Sequence, residues 1–356
     1  MKEIKYRNPK RKRILTTVDS ANARYRDIKP SCPCVMTSAA GFRQWQEKFR
    51  TILTRLLGRM PDPVPLRPEI LERKIFPTYI REKVIFDSEK YMAVPAYVCA
   101  PTVRKPGQRF PAILCCQGHG IGKNPLVGLD ANRKPIKEYH KMIAVRLAEQ
   151  GFVTLSLDWR AFGEHAERPE QNGYPQDPCN LKALVMHRLG YVFQGLHLWD
   201  AMKSIDYLQT RPDVIADKIG CTGLSLGGTM TTLISAMDKR VKAACIAGGI
   251  GKAPAGTKFS IGSIVECGSQ LIPGFSYYGE YYVDIGALIC PRPTMIHCGR
   301  YDSCAIASMQ INAFKHLKRL YKLVGAEDKI ELDVFDGVHE FNVPSAVDFF
   351  IRRLKA

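Results

Sequence analysis

The stretch Cys221–Met230 reads CTGLSLGGTM and sets one serine, Ser225, between Gly223 and Gly227. Glycines at i−2 and i+2 suit a turn so tight that ordinary side chains would collide with the next helix. A serine hydroxyl is unreactive alone. It becomes a nucleophile when a base takes its proton and a third group fixes the base's tautomer and stabilises the imidazolium. Chain order supplies both. Asp302 lies in the turn RYDSC after the apolar run PTMIHCG, and His339 lies in the loop GVHEF after the run IELDVFD. Serine, acid and histidine in that order, each just past a strand-like run, make a set for acyl transfer with Ser225 as nucleophile, His339 as base and Asp302 as its orienting acid. His140, His187, His197 and His316 fall within helical stretches and His297 within a strand, so they read as packing or surface residues.

Acyl transfer also needs N–H donors for the developing oxyanion. One is the backbone of Leu226, directly after the nucleophile. The second is assigned to the backbone of His119 in QGHGIG, where Gly118 and Gly120 let the chain approach a substrate closely. The His119 side chain then lines the pocket. Gln117 in the same loop, and Arg160 and Glu164 in DWRAFGEH, are candidates for binding a polar substrate. For Asp158, Arg160 and Glu164 mutual ion pairing that holds the loop is the competing reading.

These residues converge only if the elements between them bring three loops to one edge. From about residue 82 the pattern is strand alternating with helix. KVIFDSE and YMAVPAYVCAP read as a first pair of strands, and RFPAILCCQG as an apolar run buried on both faces. KMIAVRLAEQG is a helix ending at Gly151, and FVTLSLD a strand. FQGLHLWDAMKSIDYLQT is a long helix, KIGCTGLS the strand reaching the serine, and GTMTTLISAM the next helix. VKAACIAGG and PTMIHCG follow as strands, then the helix AIASMQINAFKHLKRLYKL, the strand IELDVFD and a last helix, VPSAVDFFIRRLK. Repeated βα units predict a mostly parallel sheet with helices on both faces over residues 82–356. Residues 251–289 break the rhythm and read as a cap or loop insertion over the sheet's carboxyl edge. Residues 1–81 read as an N-terminal extension packed on the main domain, with a helical stripe Phe42, Trp45, Phe49, Ile52, Leu56 and a Pro-rich connector, MPDPVPLRP.

Composition narrows the class. The chain has 356 residues, 46% hydrophobic, enough for one large core plus an appendage. No window approaches the about 18 consecutive apolar residues that span a bilayer, and the basic start has no apolar segment behind it, so a cytoplasmic protein without membrane contact is expected. Twelve scattered cysteines, several inside apolar runs, favour a reducing compartment over a disulfide framework. Cys32 and Cys34 lack a second pair at zinc-like spacing and read as structural. The net charge of +18, with a cluster in KYRNPKRKR, carries no nucleic-acid motif and reads as a solvated surface; attraction of an anionic substrate stays open. No metal or nucleotide cofactor is implied, since GHGIGK is better used by the oxyanion loop than by a phosphate.

With QGHG, DWRAFGE, GLSLGG, RYD and GVHEF in place, the chain resembles the α/β-hydrolase superfamily over about residues 82–356, and within it the dienelactone-hydrolase-like and acetyl-xylan-esterase-like branch. The resemblance implies a serine carboxylesterase working through an acyl-enzyme, with Ser225, Asp302 and His339 as triad and the backbones of His119 and Leu226 as oxyanion hole. Dienelactone hydrolases carry cysteine in the elbow where this chain has Ser225, which favours ordinary esters over lactones. Related acetyl xylan esterases follow the serine with glutamine where this chain has Leu226, so acetylated sugars are one substrate class within a wider group of short-chain or carbohydrate esters. Two other functions remain on the same scaffold: a prolyl-oligopeptidase-like peptidase or amidase, and a non-catalytic binding protein. Association into homo-oligomers stays open.

Overall fold

The computed structural model describes residues 13–136, 138–167, 178–252, 267–280 and 282–355. Among them run β1 (Glu69–Ile75), β2 (Tyr79–Glu89), β3 (Met92–Pro101), β4 (Phe110–Cys116), β5 (Val153–Leu157), β6 (Val214–Leu224), β7 (Val241–Ala247), β8 (Thr294–Gly299) and β9 (Ile330–Phe335). They form one sheet in the order β1-β2-β3-β5-β4-β6-β7-β8-β9. Strands β5, β4, β6, β7, β8 and β9 are mutually parallel, and β1, β2 and β3 extend the sheet antiparallel. The chain leaves β4 for β5 on one side and then crosses to β6 on the other. That reversal of direction opens a crevice at the carboxyl ends of β4 and β6.

Sequence accounts for the layers. All seven residues of β4 are buried, as a strand covered on both faces requires. One buried cluster holds α2 (Ala39–Leu56), α5 (Phe193–Thr210), α6 (Leu226–Met237), α7 (Val283–Ala287) and α8 (Ala307–Leu323) against the sheet. A second cluster packs α3 (Ile143–Glu149) and α9 (Val343–Phe350) on the opposite face. The mostly parallel sheet with helices on both faces is thus the fold that the strand–helix alternation predicts.

The N-terminal region is knitted into this core. In α2, capped by the Ser38 hydroxyl accepting from Gly41 N, the residues Phe42, Trp45, Phe49 and Ile52 are buried and Leu56 is half-buried. Trp45 stacks on Phe49 at 4.7 Å, and Phe49 meets Phe275 edge-on at 5.8 Å. Gln46 donates to the carbonyls of Ala287 and Cys290 at 2.9 and 2.8 Å. Cys32 and Cys34 are buried beside it, and Trp45 Nε1 donates to the Cys32 carbonyl at 2.9 Å. The Pro-rich connector carries no regular structure.

The sheet begins before residue 82, because β1 and the start of β2 lie on its N-terminal side. β1 is exposed at six of its seven positions, so it lacks the apolar alternation that marks a strand in sequence. Helices α1 (Thr17–Asp27) and α4 (Pro178–Arg188) were likewise without a strong apolar stripe to announce them. Of the expected insertion at 251–289, residues 253–266 and 281 lie outside the described residues, as do residues 5–12 of the basic cluster. The described remainder is no loose cap: Phe275, Val283, Ile285 and Leu288 are core residues. No described helix is long and apolar enough to cross a membrane. None of the twelve cysteines is in a disulfide, and only Cys304 among them is exposed.

Candidate active site

Ser225 stands between β6 and α6 with φ 63° and ψ −123°, a conformation that costs a non-glycine residue about 1–3 kcal/mol. The turn is possible because its neighbours lack side chains. A Cβ on Gly223 would lie 2.5 Å from the Gly227 carbonyl, and one on Gly227 would lie 2.2 Å from the Cys116 carbonyl oxygen. The Ser225 N–H donates to the Ala247 carbonyl at 3.0 Å, tying the turn to the end of β7. Leu226 is the first residue of α6, so its N–H has no acceptor within the helix and adds to the positive end of the helix dipole.

Asp302 and His339 come together as the chain order predicts. Asp302 Oδ2 lies 2.8 Å from His339 Nδ1, while Oδ1 accepts the N–H groups of Cys304 and Ala305, each at 2.8 Å. The Asp302 side chain is 2% exposed and that of His339 is 21% exposed. Burial pushes the Asp302 carboxyl up. The His339 hydrogen bond and the Ala305 and Cys304 N–H groups outweigh it and hold the group below its ordinary value, hence ionised. With Nδ1 committed to a carboxylate, Nε2 is the nitrogen left to accept a proton. Gly248, the residue after Ala247, neighbours both Leu224, at the end of β6, and His339. A Cβ there would lie 3.3 Å from Leu224 Cδ1 and 3.5 Å from His339 Cε1.

The loop after β4 closes the third side. Gly118 N donates to His140 Nε2 at 3.1 Å, and His140 Nδ1 faces Glu138 Oε1 at 2.8 Å. Tyr139 donates its hydroxyl to the His119 carbonyl at 2.8 Å and stacks on the His339 ring at 5.9 Å. Burial, then the Glu138 charge, pushes the Tyr139 phenol up, so it remains a donor. The segment 138–140 therefore clamps both the loop after β4 and the candidate base. His140 is not a helical packing residue as its sequence context suggests; it sits in the turn before α3, 1% exposed, and accepts a backbone bond. The aromatic–imidazole pair Tyr139-His140, with ring centroids 4.0 Å apart and planes tilted by 37°, leaves no periodic signal in sequence.

The proposed polar binders divide differently. Arg160 is 5% exposed and bonds both oxygens of Asp200 at 2.7 and 2.8 Å, with Glu89 at 2.8 Å as a further partner. Glu164 pairs with Lys83 at 2.6 Å and with Lys123. Asp158, fully buried, holds Lys123 through Nζ and through the backbone N–H, each at 2.6 Å. The loop is thus held by ion pairs, as the competing reading has it, but with partners from outside the loop rather than among its own three charges. Gln117 is buried, and its carbonyl accepts from Trp159 Nε1 at 3.1 Å. A third imidazole–carboxylate contact, His297 Nδ1 to Asp333 Oδ2 at 2.9 Å, differs from that of His339: His297 Nε2 already accepts the Asn342 N–H at 2.9 Å and has no capacity left to act as a base.

The fold also gathers ligating side chains that sequence spacing does not reveal. Cys34, Asp284 and His316 place ligand atoms within 4.8 Å of one another. Arg319 donates to His316 Nδ1 at 3.1 Å, which keeps the proton on Nε2 and ill-suits that ring for an ion. Asp302, Cys304 and His339 form a similar group within the candidate site itself.

Comparison with known proteins fits this architecture. The chain is 28% identical over 290 residues to "Putative hydrolase YtaP" of Bacillus subtilis, covering 78% of this chain and 89% of that protein. A "putative acetyl xylan esterase" from Bacteroides fragilis superposes with a TM-score of 0.74 at 20% identity, covering 91% of this chain and 83% of the other. A glucuronoyl esterase from Solibacter usitatus gives 0.61 at 14% identity, over 92% and 99%. The profile of the Abhydrolase family matches residues 7–344, which include every residue of the candidate site, and the chain belongs to that family.

Proposed function

We propose that the protein is a serine hydrolase that cleaves carboxylic esters through an acyl-enzyme. The observation that carries this reading is the buried, ionised Asp302 fixed on His339 Nδ1 at 2.8 Å, with the His339 ring beside Gly248, the residue after the Ala247 carbonyl that anchors the serine turn. Ser225 Oγ attacks the ester carbonyl carbon as His339 Nε2 takes its proton. Asp302 stabilises the imidazolium, and the N–H groups of Leu226 and His119 receive the oxyanion. His339 then gives its proton to the departing alcohol oxygen. A water molecule repeats the sequence on the acyl-serine, and the carboxylic acid leaves.

Structural neighbours named as acetyl xylan and glucuronoyl esterases support an ester as the bond cleaved. Within that class, short acyl groups on carbohydrate alcohols are the substrates we favour. The partial exposure of His339 suits a crevice open enough for a bulky alcohol to depart. The test is labelling with a fluorophosphonate, followed by turnover of p-nitrophenyl acetate, acetylated xylo-oligosaccharides and an aminoacyl-proline amide. The expected result is a single adduct on Ser225, ester turnover far above amide turnover, and loss of both label and turnover in Ser225→Ala. Turnover that survives Ser225→Ala, or preference for the amide, overturns the reading.

A further inference from the structure

Three metal-ligating side chains from distant segments meet beside the loop after β4. His119 Nε2 lies 2.9 Å from Cys267 Sγ, the Cys179 and Cys267 thiols are hydrogen-bonded, and the three ligand atoms all lie within 4.8 Å of one another. Cys179 and Cys267 are 7% and 8% exposed, and neither is in a disulfide. We propose that His119, Cys179 and Cys267 form a binding site for one borderline-soft divalent cation of the zinc type, a role separate from ester cleavage.

The donor set fits that ion. Two thiolates and an imidazole are ligands zinc takes, at about 2.3 Å for sulfur and about 2.0–2.1 Å for nitrogen. Tetrahedral angles then put S···S at about 3.8 Å and S···N at about 3.5 Å. The 2.9 Å between His119 and Cys267 must open by about 0.6 Å, and the other two pairs already lie within 4.8 Å, so ligation requires shifts on the order of 1 Å. Hard cations such as magnesium, which take oxygen ligands, are excluded by the same donors.

The surroundings hold the ligands in place. Gly268 N donates to Asn180 Oδ1 at 2.6 Å, locking the residue after Cys267 to the residue after Cys179. A Cβ on Gly268 would come within 2.3 Å of Ala183 Cβ, so the two segments are in close contact. The His119 ring is set by Phe162, edge-on at 5.6 Å, and its backbone by Tyr139. Binding balances as M²⁺ plus two thiols giving the bis-thiolate complex and two protons released to solvent, with no net charge left in the buried site.

The test uses the full chain without a polyhistidine tag, stripped with chelator under a reductant and titrated separately with Co²⁺ and Zn²⁺. The expected result is one ion per chain, a sulfur-to-cobalt charge-transfer band with tetrahedral d–d bands, and roughly two protons released per ion at neutral pH. Cys179→Ser and Cys267→Ser each weaken binding at least about 100-fold, beyond the 10–100-fold carried by outer partners. Ion-free melting curves check that these near-isosteric variants fold. Cys304→Ser retains wild-type binding, which separates this site from the Asp302–Cys304–His339 group, and Ser225→Ala retains it too, so this inference and the esterase reading fail independently. A cobalt spectrum without sulfur bands, binding unchanged in the Cys179→Ser/Cys267→Ser double variant, or binding lost in Cys304→Ser overturns the proposal.

Discussion

Replacing Asp302 by asparagine probes the site at the bond that sets its proton inventory. Asp302 Oδ1 accepts two backbone N–H groups, and an asparagine carbonyl oxygen can keep both. The amide nitrogen then faces His339 Nδ1, and because it can only donate, Nδ1 must become the acceptor. The imidazole proton moves to Nε2, the atom that takes the proton from Ser225 in the proposed reaction. The expected loss in kcat is about 10⁴-fold, or about 5.5 kcal/mol of transition-state stabilisation, with KM little changed. The assay is steady-state hydrolysis of p-nitrophenyl acetate, with circular dichroism to confirm the fold. Stability gives an independent check. The Asp302 carboxyl is depressed in the folded state from an ordinary 3.8, so its contribution is present above that value and is lost as pH falls through the lower folded value. The urea-unfolding difference between wild type and Asp302→Asn is therefore flat from about pH 5 to pH 8 and shrinks below about pH 4. Retention of more than about a tenth of wild-type kcat would refute the assignment, since a flipped tautomer cannot work as the base.

Other outcomes follow from single contacts. Ser225→Gly removes the positive-φ strain that Ser225→Ala retains, so both are inactive but the glycine variant is more stable by about 1 kcal/mol in urea titration. Gly227→Ala drives a Cβ to 2.2 Å from the Cys116 carbonyl oxygen, which is backbone and cannot yield; about 3 kcal/mol is lost together with fluorophosphonate labelling. Lys123→Met strands the fully buried Asp158 carboxylate without its cation and costs about 3–5 kcal/mol, read as a fall in Tm of about 5 °C by scanning calorimetry; a change under about 2 °C counts against the pair as a structural anchor.

The parts of this fold that show in sequence are those whose physics is local. Strands β4 to β9 are apolar runs bounded by glycines and charged turns, and the helices between them carry their own periodicity. The order of Ser225, Asp302 and His339 could therefore be placed at strand ends. Residues whose roles depend on distant partners do not show. Tyr139 and His140 matter because the chain folds them under Gly118 and His119. Arg160 and Glu164 are charges of the right type for a substrate, yet their fates are set by Asp200, Glu89, Lys83 and Lys123, each far away in sequence. β1 escapes detection because its faces are nearly all wet, and His119, Cys179 and Cys267 share no motif because three separate segments bring them together.

The docking of α2 has a consequence for how the chain is made. This helix leaves the ribosome early, yet the carbonyls that Gln46 caps lie 241 and 244 residues further on. At roughly 5–20 residues per second, Phe42, Trp45 and Phe49 wait about 12–48 s for the surface that will cover them. During that interval the nascent polypeptide carries a stack of uncovered rings, an address for a holdase chaperone. Yield in cells should therefore track chaperone supply and translation speed more closely than the equilibrium strength of the finished molecule.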